Sequence, residues 1–391
     1  MERTDAYARR RRRPRRWARI AAVLCLCAVS PAAGYGAHAL VSGGGNAAAP
    51  PVSHTTVTVT TTTPVTTTPS APPPDPRTIS VAAVGDTMLG STPDLSPSPG
   101  AYLAAMRADL HGDLVFGNLE GTLTDSAASK CKPKAKDCFA FRAPPEFASD
   151  LRAAGFTVMN NANNHSSDFG ATGRADTVRA LQAAGIAQTG LPGEITIVPA
   201  AGLRVAILGF APYAVTASLL DLATARVLIQ RADAKADIVI VAIHAGAEGA
   251  AAQHVTGAEE SYVGEDRGNA EAFAHMAVDA GADLVLGSGP HVLRGMEIYR
   301  RRLIAYSLGN FAGYHNFGLD GVLGDSAVLH VRLTANGAFR SGRITSVRLV
   351  DAGMPEPDPT GAGARLIAQL SRDDLGSRAV RVTPAGRIAP A

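Results

Sequence analysis

The chain has 391 residues, of which 46% are hydrophobic and 18% charged, the balance of a soluble globular domain with something apolar attached. Four Cys exclude a disulfide-framework miniprotein and, with no Cys-x2-Cys pair, a multi-zinc ribbon. The formal net charge of +3 is uneven: residues 1–19 hold nine Arg against Glu2 and Asp5, so the rest is net negative and carries no basic nucleic-acid-binding face.

The basic tail, residues 1–19, precedes an uncharged apolar run from Ile20 to Val41, interrupted by Pro31, Gly34 and Gly36. About 20 apolar residues span a bilayer, and Arg placed before the span holds that end in the cytoplasm. The expectation is a transmembrane anchor over 20–41 with the remainder extracytoplasmic. A cleaved signal peptide, cut near Ala32-Ala33, is the rival, and span length favours the anchor. The Arg runs are compositional and do not single out a twin-arginine signal. Cys25 and Cys27 read as small apolar residues of the span. Residues 42–77 read as a linker, because 50–77 contain ten Thr and eight Pro and almost nothing to bury.

From Thr78 short apolar runs alternate with helical patterns. Strands are expected over Ile79–Val84, Leu114–Phe116, Phe156–Met159, Val205–Leu208, Asp237–Ile243 and Leu284–Leu286. Helices are expected near 145–154, 171–184, 220–233 and 267–280, which makes an α/β domain with a largely buried sheet. Met296–Ser307, Ala327–Leu333 and Ile344–Leu349 read as antiparallel hairpin strands. The domain is assigned to 78–354, with a C-terminal helix and tail over 355–391. Cys131 and Cys138, with six residues between them, can close a small ring outside the cell.

The polar residues of each unit fall just after a strand's carboxyl end, the edge where open α/β sheets bind ligands. Asp86, Glu120, Asn164, His165, His244 and His291 should therefore converge, although they are far apart in sequence. Each alone has a plain reading as a cap, a turn residue or a packed His. Six at equivalent strand ends point to a site. Their donors are hard or borderline oxygen and nitrogen, suited to Mn, Fe, Zn or Mg. Two ions sharing a carboxylate would activate water, and a His off the metal would serve as acid.

Seven segments carry a family resemblance: VGDTMLG (84–90), FGNLEGTL (116–123), FRAPPE (141–146), NNANNHSSDFG (160–170), HAGAE (244–248), GSGPHVLRG (287–295) and YSLGNF (306–311). In order and spacing the chain resembles the CapA-type capsule and poly-γ-glutamate biosynthesis proteins, whose domain is related to calcineurin-like metallophosphoesterases. The resemblance implies a four-layer α/β/β/α sandwich on a membrane anchor, facing outward. It implies Asp86 and His291 as ligands of a first metal, Asn164 and His244 as ligands of a second, and His165 as the acid. At the position of the bridging carboxylate either Asn118 or Glu120 faces the metals, with Glu120 favoured for its charge. Asn118, Asp168, Glu248 and Asn310 are expected to line the pocket or brace the ligands, Glu248 by orienting His244 and Asn310 from the rim. Met88, Asn118 and Ser288 each stand where phosphoesterase relatives have a donor, so one divalent ion or two are compatible with the set. Ala245 replaces a more usual Trp and loosens the pocket wall. The expected partners are an anionic polymer or a phosphoester and the components of a membrane synthase, with no nucleic acid. A non-catalytic polymer-binding accessory is the rival to metal-assisted hydrolysis.

Overall fold

A computed structural model describes residues 77–132 and 138–390. The expected tail, anchor and all but the last residue of the linker lie outside these residues. Among the described residues no helix is long and apolar enough to cross a membrane.

The chain first builds parallel strands β1 (Thr78–Met88), β2 (Leu114–Leu119), β3 (Val158–Asn160) and β4 (Ala187–Thr189), with helices α1 (Phe147–Ala154) and α2 (Gly170–Ala183) between them. It then crosses to a second sheet: β5 (Thr196–Ala200), β6 (Leu203–Ala211), β7 (Ala217–Ser218), β8 (Ile238–His244), β9 (Leu284–Ser288), β10 (Met296–Tyr299) and β11 (Arg302–Ala305). Helices α3 (Leu222–Asp233) and α4 (Ala270–Asp279) lie in this stretch, each started by a side chain that accepts a backbone N–H: Asp221 from Thr224 at 3.0 Å and Asn269 from Ala272 at 2.9 Å. The chain returns to the first sheet with β12 (Asn310–Gly313), β13 (Asp325–Thr334), β14 (Phe339–Val350) and β15 (Met354–Pro357). After α5 (Ala362–Leu375) come β16 (Val380–Val382) and β17 (Arg387–Pro390), which join the edge of that sheet. Residues 355–391, read as helix and tail, thus also supply two strands.

The two sheets have ten and seven strands. Alternation along each strand decides what they pack against. Ile79, Val81 and Ala83 of β1 face Val205 and Ile207 of β6 and Ile238, Ile240 and Ala242 of β8 in one core between the sheets. The intervening Ala82 and Val84 join Leu151 of α1 and Leu181 of α2. Val239, Val241 and Ile243 join Ile229 of α3 and Phe273 of α4 on the other side. The layers run helices, sheet, sheet, helices. Helix α5 contributes Ala364 and Ile367 to the inter-sheet core. Cys131 and Cys138 are bonded to each other, with Cα atoms 5.6 Å apart.

Two glycines let backbones meet where the site is built. A Cβ on Gly85 would overlap the Gly309 carbonyl oxygen, and one on Gly287 would overlap that of Tyr306. The first approach sets the Asp86 N–H on the Gly309 carbonyl at 2.9 Å, next to the residue that begins the site. Overpacking a rigid junction typically costs about 1–3 kcal/mol. Gly85→Ala should therefore lower stability by at least that amount in urea unfolding, and a wild-type midpoint would show that β1 can move away from Gly309.

Candidate metal centre

Strand β1 changes register around Asp86 on both sides, against β2 and against β12. Such bulges re-aim a side chain. Here Asp86 turns into the space between the sheet ends, fully buried. Its Oδ1 accepts from Asn118 Nδ2 at 2.7 Å, and its Oδ2 accepts the Gly289 N–H at 3.3 Å. A carboxylate only accepts, so this contact sets the orientation of the Asn118 amide. The Oδ1 of Asn118 then accepts from Asn160 at 2.8 Å and Asn163 at 3.3 Å. The Asn118 amide is therefore spent on the protein.

Glu120 lies just beyond β2 and is fully buried, yet neither carboxylate oxygen has a hydrogen-bond partner among the described residues. Its Oε1 is 3.8 Å from His244 Nε2 and 3.5 Å from His291 Nε2. His244 ends β8, and its Nδ1 lies 3.3 Å from Ser288 Oγ while Nε2 is buried without a partner. His291 sits in the loop after β9 with φ of 58°, a left-handed conformation uncommon for a non-glycine residue. Its Nδ1 is 2.8 Å from Asn310 Oδ1 and 3.2 Å from Asp86 Oδ2.

Burial first, and then the charge of Asp86, push the Glu120 carboxyl well above its usual range, against the pull of His291. Burial drives His244 down to about 3, so it is neutral with a free lone pair. Burial also opposes charge on His291, but Glu120, Asp86 and Glu248 together lift it to about 10. Burial opposes the charge on Asp86, but its hydrogen bond and charge pairing with His291 and the hydrogen bond from Asn118 outweigh it, so the carboxyl is lowered.

Ligand-type atoms of Asp86, Glu120 and His291 lie within 4.8 Å of one another. Buried polar atoms without partners are costly and rare. The unpartnered oxygens of Glu120 and the neutral Nε2 of His244 gather beside this cluster. That donor set fits a divalent cation of the oxygen- and nitrogen-seeking kind.

The other expected residues separate into neighbours and bystanders. His165 shares a cavity of about 280 Å³ with Glu120, Glu248, His291 and Asn310. Its Nδ1 meets Asp168 at 2.8 Å, and Asp168 also accepts the Phe141 N–H at 2.7 Å and pairs with Lys130 at 2.6 Å. Asn164 does not line this cavity, although its Oδ1 is buried without a partner. Glu248 falls beside His291, at 3.8 Å, and pairs with Arg267 at 2.8 Å. His244 Nδ1 meets Ser288, expected only as a missing donor, at 3.3 Å and Asn118 at 3.4 Å, and not Glu248.

Sequence reasoning missed the aromatic wall of Phe139, Phe141, Tyr262 and Phe317, together with Asn316. Tyr262 ends a short strand, Glu260–Tyr262, the others come from loops, and none has a ligand-type signature. A second cluster, Glu271, His275 and Glu297, is filled from within. Glu297 accepts from His275 and from the Tyr306 hydroxyl, each at 2.5 Å, and Arg378 bridges it to Glu271.

The raised pKa of His291 makes metal-free stability depend on pH. Its ordinary value is about 6.5. A group raised to about 10 on folding contributes stability in full below the ordinary value and loses it as pH rises through the folded one. The metal-free denaturation midpoint should fall between about pH 6.5 and pH 10, and His291→Gln should flatten that slope. An equal slope in the variant would assign the effect elsewhere.

Residues 80–314 match the family described as bacterial capsule synthesis protein PGA_cap. The capsule biosynthesis protein CapA of Bacillus anthracis is 32% identical over 286 residues, covering 67% of this chain and 64% of that protein. The PGA biosynthesis protein CapA of Bacillus subtilis is 29% identical over 286 residues, covering 67% of this chain and 70% of that protein. A probable polyglutamine synthesis accessory protein of Mycobacterium tuberculosis is 31% identical over 222 residues, 51% of this chain and 55% of its own length. A 5′-nucleotidase precursor from Thermus thermophilus aligns with a TM-score of 0.41 and 13% identity over 76% of this chain and 59% of its own, too loosely to bear on function. The family match covers more than half of the sequence, and the chain belongs to the bacterial capsule synthesis protein family PGA_cap.

Proposed function

We propose that this chain is a membrane-tethered, extracytoplasmic protein acting in the synthesis, export or remodelling of an anionic capsular polymer such as poly-γ-glutamate. Its site holds a divalent cation and hydrolyses a phosphoester or amide bond. One observation carries the site reading: both oxygens of Glu120 and Nε2 of His244 are buried and unpartnered beside Asp86 and His291. The polymer is supported by family membership and by relatives whose names carry capsule or PGA biosynthesis. The tether is supported by the Arg-rich residues 1–19 ahead of the apolar run 20–41. The working partner is a membrane synthase that delivers the polymer.

Asp86, Glu120, His244 and His291 would hold the cation, and Asn164, whose Oδ1 is buried without a partner, would be the donor toward any second one. When bound, such an ion supplies Lewis-acid polarisation of a substrate oxygen and a more acidic water. The rest of the chemistry belongs to the chain. Asp168 takes the Nδ1 side of His165 at 2.8 Å, leaving Nε2 as the atom that exchanges a proton with substrate. Lys130 fixes Asp168 from its other oxygen. Phe141, packed on the His165 ring at 4.6 Å between centroids, keeps water from that flank.

The accessory reading has its own support. Asn118 stands where the resemblance expects a carboxylate and is consumed by Asp86, Asn160 and Asn163. One relative is itself named an accessory protein. Elemental analysis separates the two readings. Asp86→Ala and His291→Ala should lose metal, with affinity falling at least about 10–100-fold. His165→Ala should keep the metal and lose turnover by about 10²–10⁴-fold. Wild type that takes up no metal from Mn, Zn or Fe would end the catalytic reading in favour of the accessory.

Topology is tested separately. A reporter fused after Ala391 should be active only if it works outside the cytoplasm. Activity of a cytoplasm-only reporter at that position would remove the export reading.

A further inference from the structure

The cavity lining gives a polyanion no Lys or Arg to meet among the described residues, and it holds Glu120 and Glu248. Two cations beside it are engaged: Lys130 on Asp168 at 2.6 Å, and Arg267 on Glu248 at 2.8 Å and on Glu265 at 3.2 Å. His291 is taken up by Asp86 and Asn310. A carboxylate-rich chain entering here finds no Lys or Arg on the described lining.

Two other features of the same cavity nevertheless suit such a chain. Asn316 lines it, and the Nδ2 of Asn316 is buried without a partner. An amide NH2 only donates, so this group requires an oxygen acceptor that the protein does not supply. Phe139, 64% exposed, and Phe317, whose ring packs on His291 at 5.2 Å, offer apolar faces. A γ-linked glutamyl chain alternates carboxylates with short methylene runs, which such faces can cover.

We infer that the cavity takes a polymer carboxylate onto the bound divalent cation, with Asn316 Nδ2 donating to the same carboxylate, so that polymer binding itself requires the cation whether or not turnover follows. This rests on the polymer reading above and adds the means of recognition. The cation supplies positive charge at the floor, Asn316 orients the carboxylate, and Phe139 and Phe317 flank the methylenes.

The test is calorimetric binding of a short synthetic oligo-γ-glutamate to the whole chain, either loaded with Mn and dialysed or stripped with chelator. The same oligomer with its carboxylates converted to amides is the neutral probe. Asp86→Ala in matched Mn controls for metal carried by the oligomer. Loaded wild type should bind the acidic oligomer at least about tenfold more tightly than stripped protein does, and the amide oligomer should gain nothing from metal. Asn316→Ala, with metal content and circular dichroism unchanged, should weaken binding about tenfold or more, as expected for a hydrogen bond to a charged group. Equal binding by stripped protein overturns the inference, as does an Asn316→Ala variant that binds like wild type. Loaded protein with intact metal content that binds no oligomer overturns instead the polymer reading on which the inference rests.

Discussion

Asp86 and Glu120 are two fully buried carboxylates in one cluster, with His291 placed among them to offset their charge. Two such charges in a dry space repel each other strongly, and neither can be hydrated. The surrounding structure answers this constraint. Asn118 and the Gly289 N–H bond to Asp86, His291 is held protonated between the acids, and Glu120 is pushed toward its neutral form. Nothing among the described residues satisfies the Glu120 oxygens. An arrangement this costly in buried donors is compatible with a divalent cation held by the cluster.

The fold makes that cost bearable by stiffness. The inter-sheet core takes alternate residues from β1, β2, β6, β8 and β9, so the ends of these strands cannot drift independently. Asp86 comes from one sheet, His244 from the other, and His291 from the loop after β9. Close backbone approaches at Gly85 and Gly287 tie β1 and β9 to the segments that carry Asn310 and Ser307. The amide chain from Asn118 to Asn160 and Asn163 joins β2, β3 and the loop that presents His165. The loop that carries His165 and the carboxylate pair are thereby held in one frame.

Strand ends were legible because apolar runs of even pattern stop abruptly at polar residues. That signal grouped Asp86, Glu120, Asn164, His165, His244 and His291; the structure brings Asp86, Glu120, His244 and His291 within a few ångström and puts His165 on the same cavity, which Asn164 does not line. The strand limits were less legible: β1 runs on to Met88, so Asp86 lies at a bulge inside the strand and not after it. Bulges arise from pairing with neighbours and leave little trace in a single strand's pattern. The choice between Asn118 and Glu120 was not decided by residue type alone. Asn118 is consumed because Asn160 and Asn163 happen to lie across from its oxygen, a fact of register between β2 and β3.

The sequence by itself determined the alternation of strand and helix, the set of ligand-type residues and the pairing of Cys131 with Cys138. These depend on composition, period and short spacing, which are local properties of a chain. Only the tertiary structure decided which donors remain free, that Ser288 and not Glu248 meets His244, and that Asn316 and four aromatic rings wall the cavity. Such facts depend on which side chains from distant segments share a small volume. Burial and hydrogen-bond satisfaction are properties of that volume, and no local pattern encodes them.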